Sequence, residues 1–509
     1  MKTVTLNRQD FANKVLGCWM GKNIGGTLGA PFEWRRQVNA VTFYTQELRG
    51  EPMPNDDLDI QLLWLIALEE QGVRLDARTL ADYWRLHVTP HWSEYGIAKA
   101  NMGSGLMPPY CGTLNNAFKD SCGAFIRSEI WACIAPGCPA LAADYACEDA
   151  ILDHGDGEGT YAEIFCAALE SAAFIVSDLN ALIKIGLSYI PATCGVARAI
   201  QCAVKSFRTG KTWKAARNEI LRLHRGSAFF NRLNHVSAAD RRKGFDKGRL
   251  GYDAPSNVAI LVAALLYGKG DFGKTLCIAV NCGEDTDCTA ATAGSILGIL
   301  HGIDGIPPRW IEPIGRGIKT ISINVGDLAW QVPKTVDELT DRTVRMAEQT
   351  LLAHRGRTRV RLSHDQPTDL GDLNASALHA DGKNSLLQAR LDGPRFRFDF
   401  FDVHLDYGPL PLVRNGEPKT LRVTIHNTSR VQANLNLRWH WPETCEITPG
   451  KQAVLSSWPP WLGPTASATF TLRTDHIESA RLRGVLELTV EGRPTAMLMP
   501  VVLLNGNAQ

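Results

Sequence analysis

Apolar positions recur at helical spacing, or fill whole segments, in "DIQLLWLIALEEQG" from Asp59, "YAEIFCAALESAAFIVS" from Tyr161, "PSNVAILVAALLYGKG" from Pro255 and "TAATAGSILGILHG" from Thr289. Rich in Ala and Leu, these stretches predict α-helices, and several carry few charges on any face, as interior helices do. The rhythm changes after about Ala353. The segment "AHRGRTRVRLSHDQPTDLGDLN" is polar and lacks apolar periodicity, and short alternating segments follow it: "RFRFDFFDVHLDY", "KTLRVTIHNTS", "ANLNLRWHW", "SATFTLRT" and "GVLELTVEG". Gly, Pro and Asn turns separate them, the pattern of a β-sandwich. The expected organisation is a large all-α domain over residues 1–355, a linker or transition segment over 356–393, and an all-β, immunoglobulin-like sandwich over 394–509 that serves as an accessory.

A length of 509 residues agrees with more than one domain, since single cores stop growing well below that size. Apolar residues make up 45% and charged residues 21%, which is ordinary for a globular chain. The 54 Lys and Arg nearly cancel the 53 Asp and Glu without forming runs, so no electrostatic track for nucleic acid is expected. The N-terminus has no apolar stretch leading to a small-residue cleavage site, and the longest apolar runs, about a dozen residues, are too short to span a bilayer. Thirteen scattered cysteines with no CxxC pair fit reduced, mostly buried thiols. The expectation is a cytoplasmic protein with no membrane partner.

Two acidic clusters stand at the mouths of helical runs. Asn55, Asp56, Asp57 and Asp59 open one; Glu284, Asp285 and Asp287 open another of small residues. Capping explains either cluster alone, because Asn and Asp satisfy free backbone N–H groups and complement the helix dipole. One cap is enough for one helix, however, and the second cluster has no Lys or Arg downstream before Arg309. If the two helix starts converge, their oxygens could hold hard divalent cations such as Mg2+ or Mn2+.

Three segments carry a resemblance: "GCWMGKNIGGTLGAPFEW" from Gly17, "NDDLDIQLLWL" from Asn55 and "CGEDTDCTAATAGSILGILHG" from Cys282. In content, order and placement the chain resembles the ADP-ribosylglycohydrolase (DraG-like) family over roughly residues 8–350. The resemblance implies an all-α fold with two divalent cations, Mg2+ or Mn2+. It also implies hydrolysis of the bond between C1″ of ADP-ribose and a protein side chain or small group, so the partner is a small-molecule or ADP-ribosylated substrate. Asn55, Asp56 and Asp57 would bind metal from the first cluster, and Asp285 and Asp287 from the second. The chain departs from the family's usual residues at several positions: Asn55 for Thr or Ser, Leu58-Asp59 for Thr-Gln, Gly26 for Asp, Cys122 for Asn and Cys288 for Thr. A thiol suits Mg2+ poorly, so Thr289, Glu284 or water would fill the position of Cys288, or one metal would bind weakly.

The resemblance also places Glu33, in "GAPFEW", where a mobile carboxylate acts on the scissile bond; Glu33 and Asp57 are the catalytic candidates. Gly123, Arg127 and His154 are the substrate-binding candidates. Gly123 would admit a close backbone approach. Arg127 would orient the glycine loop or meet an anion, or else be a buried ion-pair residue. The stretch "YWRLHVTPHWSEYG" offers His87, His91, Trp92 and Tyr95, chiefly for packing, with one to stack on a base or sugar. Asp253 and Asn257 belong either to a loop closing over the pocket or to a helix cap. Two other readings stand beside this one: the same metal site acting on another furanoside, nucleoside or glycan fragment, and a non-catalytic binder of an ADP-ribose-type ligand.

Overall fold

In the first signature segment glycine returns at every fourth position, at Gly17, Gly21, Gly25 and Gly29, which puts a bare stripe along one face of a helix. In the computed structural model, which describes residues 4–226, 235–247, 253–371, 373, 375–380 and 392–507, that helix runs Arg8–Gly29. It packs antiparallel against Thr286–His301, with the two backbones in contact. A Cβ added to Gly21 would lie 2.1 Å from the Gly294 carbonyl oxygen, and one added to Gly25 would lie 2.1 Å from that of Ala290. At one end Gly17 meets Gly298; at the other Gly29 meets Thr286, whose Oγ1 donates to the Gly29 carbonyl at 2.8 Å. This pairing delivers the chain after Gly29, including Glu33, to the start of the second acidic helix.

The helix Asp56–Gln71 is buried from Asp57 through Leu68, as its nearly charge-free run predicts. Its Trp64 donates Nε1–H to Asp149 Oδ2 at 2.7 Å, and Trp131 donates to the same oxygen at 2.9 Å. Further helices, among them Pro139–Ala150, Glu158–Ala173, Gly195–Arg208, Ala254–Gly268 and Val336–Ala353, surround this centre and share its apolar core. Among the described residues, no helix is long and apolar enough to cross a membrane.

Beyond Ala353 the chain turns back on the helical part. Val360–Ser363 pairs in parallel with Val4–Asn7, and Val360 and Leu378 join the helical core. Residues 381–391 of the expected linker lie outside the described residues. From Arg395 the chain is all β, in two five-stranded sheets. One orders its strands 445–448, 465–474, 419–427, 401–406 and 395–397; the other 452–457, 433–440, 481–490, 496–505 and 412–413. Alternation along each strand sends Leu421, Val423 and Ile425 from one sheet and Leu435, Leu437 and Trp439 from the other into a single core. Tyr110 of the helical domain enters that core, stacking on Tyr407 at 5.0 Å and donating to the carbonyls of Asp392 and Gly408.

Candidate metal centre

The first cluster is capped by its amide. Asn55 has extended backbone (φ −147°, ψ 122°), and its Oδ1 accepts from the Asp57 N–H at 2.8 Å. With the cap filled, the Asp56 and Asp57 side chains are left for other work. Gly26 makes room for the amide: a Cβ there would lie 1.8 Å from Asn55 Nδ2. The two departures from the family pattern at Gly26 and Asn55 are therefore one steric event. Asp59 turns away, with Oδ2 accepting from the Ile321 and Ser322 N–H groups at 2.6 Å each.

The second cluster behaves differently. Asp285 occupies the cap position of Thr286–His301 but makes no side-chain cap bond. Its backbone N–H is held by Asn257 Oδ1 at 3.2 Å. Asp253, at the cap of the helix bearing Asn257, accepts from Ser256 Oγ at 2.9 Å and from the Gly226 N–H at 2.8 Å. Glu284 adopts a left-handed φ of 71°, uncommon for a residue with a side chain, and its carboxylate is taken up by Arg36 in a bidentate pair of 2.7 and 2.9 Å. Trp34 N–H to the Glu284 carbonyl (2.9 Å) and Glu284 N–H to the Arg35 carbonyl (3.0 Å) stitch the Glu33 loop to this turn.

Two groups of ligand atoms result, each with all members within 4.8 Å of one another: Asp57, Asp287 and Cys288, and Glu33, Asp285 and Asp287. Asp287 belongs to both. Asp57 Oδ2, Asp285 Oδ1 and Asp287 Oδ1 are buried and accept no hydrogen bond. Buried carboxylate oxygens are costly to leave unpaired. A positive charge beside them is Lys22, whose Nζ lies 3.8 Å from Asp57 Oδ2 and is committed to Glu129 Oε1 at 2.8 Å. Burial alone would lower the Lys22 pKa, but Glu129 and Asp57 hold it above its ordinary value. One ammonium does not balance Glu33, Asp56, Asp57, Asp285 and Asp287.

That imbalance appears in the pKa values. Burial pushes the Asp57, Asp285 and Asp287 carboxyls above the usual range; the charge of Asp287 adds to this at Asp285, while Lys22 opposes it at Asp57. Asp56 is raised to about 6 by burial and then by Asp287. Glu33, half-buried, is raised by desolvation and then by Asp287 and Asp285. Acceptor-only oxygens that converge, lack donors and repel one another are the donor set that suits divalent cations.

A cleft of about 80 Å3 opens onto these groups, lined by Glu33, Trp34, Asp56, Trp92, Tyr95, Glu94, Cys122, Gly123, Asp285, Asp287 and Cys288, among others. Gly123 stands on its wall, where a Cβ would lie 2.1 Å from Glu94 Oε1. Arg127 does not reach the cleft. It is fully buried and donates to Asp149 Oδ1 (2.9 Å), to both oxygens of Asp153 (3.1 and 2.7 Å) and to the Gly123 carbonyl (2.7 Å). His154 is buried as well, with Nδ1 2.8 Å from Asp153 Oδ1 and Nε2 3.1 Å from Ser121 Oγ. These two residues lie behind the glycine loop and brace it.

Sequence reasoning passed over Glu94. It is 5% exposed, its Oε2 accepts no hydrogen bond, and burial raises its carboxyl to about 7. Its signal was masked by the aromatic residues around it. Lys22 was also missed, although a lone Lys inside a glycine-striped, apolar helix is conspicuous.

A family model described as ADP-ribosylglycohydrolase matches residues 7–351. The ADP-ribosylarginine hydrolase Tri1 of Pseudomonas putida (strain GB-1) is 32% identical over 101 residues, 19% of this chain and 24% of that protein, so the chain spans about a quarter of that relative's length. An uncharacterized protein of Archaeoglobus fulgidus is 27% identical over 318 residues, 59% of this chain and 90% of that protein. With the family match running through nearly all of the helical part, the chain belongs to the ADP-ribosylglycohydrolase family.

Proposed function

We propose that the protein hydrolyses the C1″ bond of an ADP-ribosyl conjugate at a centre of two divalent cations, Mg2+ or Mn2+. Asp56, Asp57, Asp285 and Asp287 would hold the cations, with the side-chain amide oxygen of Asn55, which also accepts from the Asp57 N–H, at the margin. The observation that carries this reading is the set of buried, donorless oxygens contributed jointly by the two helix starts. The Tri1 relative, named for hydrolysis of ADP-ribosylarginine, supports an ADP-ribosyl substrate. When bound, the cations supply Lewis-acid polarisation and a fixed grip on the sugar hydroxyls.

The chain's own residues do the rest. Glu33 lies half-buried at the cleft edge beside the carboxylates that would hold the cations, which places it to hold and pass a proton at the scissile bond. Gly123 brings bare backbone to the wall where a sugar would lie, and Arg127 fixes that backbone from behind. Trp92, half-exposed at the mouth, offers a face for stacking.

One observation favours the second reading, a plain furanoside or nucleoside. The cleft is small, and among the described residues lining it none is Lys or Arg to meet a pyrophosphate. A panel of ADP-ribosyl-arginine, ADP-ribosyl-serine, O-acetyl-ADP-ribose and aryl furanosides, assayed with Mg2+ or Mn2+ against EDTA, separates the two. Metal-dependent release of ADP-ribose is the expected result. Turnover of furanosides alone would move the substrate to the second reading, and EDTA-insensitive turnover would contradict the metal centre.

A further inference from the structure

The donor groups of the two ligand sets differ in kind. Glu33, Asp285 and Asp287 offer oxygen alone, whereas Asp57, Asp287 and Cys288 include a sulfur. The Cys288 thiol is 6% exposed, and its Sγ lies 3.5 Å from Asp57 Oδ1. The neighbours able to stand in for it are engaged elsewhere. Thr289 Oγ1 donates to the Asp285 carbonyl at 3.0 Å, and Glu284 is held by Arg36. Asp57 and Asp287, 1% and 6% exposed, each keep a buried oxygen that accepts no hydrogen bond, and each offers a ligand atom within 4.8 Å of the Cys288 sulfur.

We propose that Cys288 is itself a metal ligand, so that the two halves of the centre are chemically distinct. The Asp57, Asp287 and Cys288 half takes a thiophilic divalent ion of the Zn2+, Co2+ or Fe2+ kind, and the Asp285 and Asp287 half, with Glu33 beside it for the proton, takes a hard ion such as Mg2+ or Mn2+. Thiolate sulfur selects the softer metals and carboxylate oxygen the harder ones. Ligation breaks the S–H bond, forms the metal–sulfur bond and releases the proton to solvent.

This inference rests on the metal centre proposed above and refines which ions it takes. The test is titration of the full-length, EDTA-treated protein with Co2+, followed by optical absorption and by equilibrium dialysis. The wild type and Cys122→Ser should both bind Co2+ and develop a near-ultraviolet thiolate-to-cobalt charge-transfer band. Cys288→Ser should lose the band. Cys288→Thr, which restores a hydroxyl, should lower Co2+ affinity relative to Mg2+ on the order of 10-fold or more. Co2+ bound with only ligand-field bands, or a band that survives in both Cys288 variants, would overturn the thiolate assignment and leave the metal centre intact. No Co2+ bound at all would overturn both.

Discussion

The two helix entrances share a composition but not a solution. At Asn55 the neutral amide caps the helix, and the acidic side chains behind it are left free to face inward. At Asp285 an acidic side chain holds the cap position and caps nothing, while Asn257 steadies its backbone from another helix. Capping therefore accounts for one residue at the first entrance and none at the second. The surplus carboxylates are explained by their meeting in one cleft, Asp57 of the first entrance beside Asp287 of the second, which neither entrance could arrange alone.

The largest effect expected from separating the two roles is at Asp285. Asp285→Ala removes no cap, so the metal-free protein should melt no lower than wild type, since one repelling carboxylate is gone. Its hydrolytic rate should fall on the order of 100-fold or more, as misplacing a reacting group does. A melting scan and a rate assay on the same preparation check both halves.

Next in size is Gly21→Val, which leaves both entrances chemically intact but pushes Arg8–Gly29, the helix that meets Asn55 through Gly26, away from Thr286–His301. With the new Cβ 2.1 Å from the Gly294 carbonyl, overpacking should cost roughly 1–3 kcal/mol or more. Stability and divalent-ion affinity should fall together. Retained affinity in a destabilised protein would show that the glycine contact does not set the site.

Glu94 gives a control in the same cleft that belongs to neither entrance. Its carboxyl is raised from 4.5 to about 7, chiefly by burial. Between those pH values the folded protein keeps a proton that the unfolded chain has released, so stability falls as pH rises through the window, and the penalty is complete above 7. Glu94→Gln should match wild type near pH 4 and exceed it near pH 8 by up to about 3 kcal/mol, measured by denaturant unfolding. The smallest effect is at the amide cap. Asn55→Ala should cost about 1 kcal/mol through the lost cap bond, with a modest loss of divalent-ion affinity, seen as a lower melting temperature.

Much of this arrangement is legible in the sequence because it depends on local patterns. The all-α run and the alternating β segments are periodicities, and the acidic clusters are contiguous. What could not be read depends on distant partners. Asn55 and Gly26 are 29 positions apart, and only the fold shows that the amide fills the space above the glycine. Arg127 was legible as a special residue, but its two readings, anion contact or buried ion pair, are separated only by the positions of Asp149 and Asp153. Glu94, passed over among its aromatic neighbours, is singled out only by the burial that places it against Gly123. The return of Val360–Ser363 to pair with Val4–Asn7 was hidden because a four-residue strand in a polar stretch has no periodicity to detect.

The central claim is that both entrances build one divalent-ion centre. It is tested most directly by Mn2+ titration, followed by electron paramagnetic resonance, of wild type, Asp57→Asn, Asp285→Asn and Asp287→Asn. The account predicts saturable binding in wild type, a partial loss in Asp57→Asn and in Asp285→Asn, each of which serves one ligand set, and the largest loss in Asp287→Asn, which serves both. Binding that survives Asp287→Asn unchanged would contradict it.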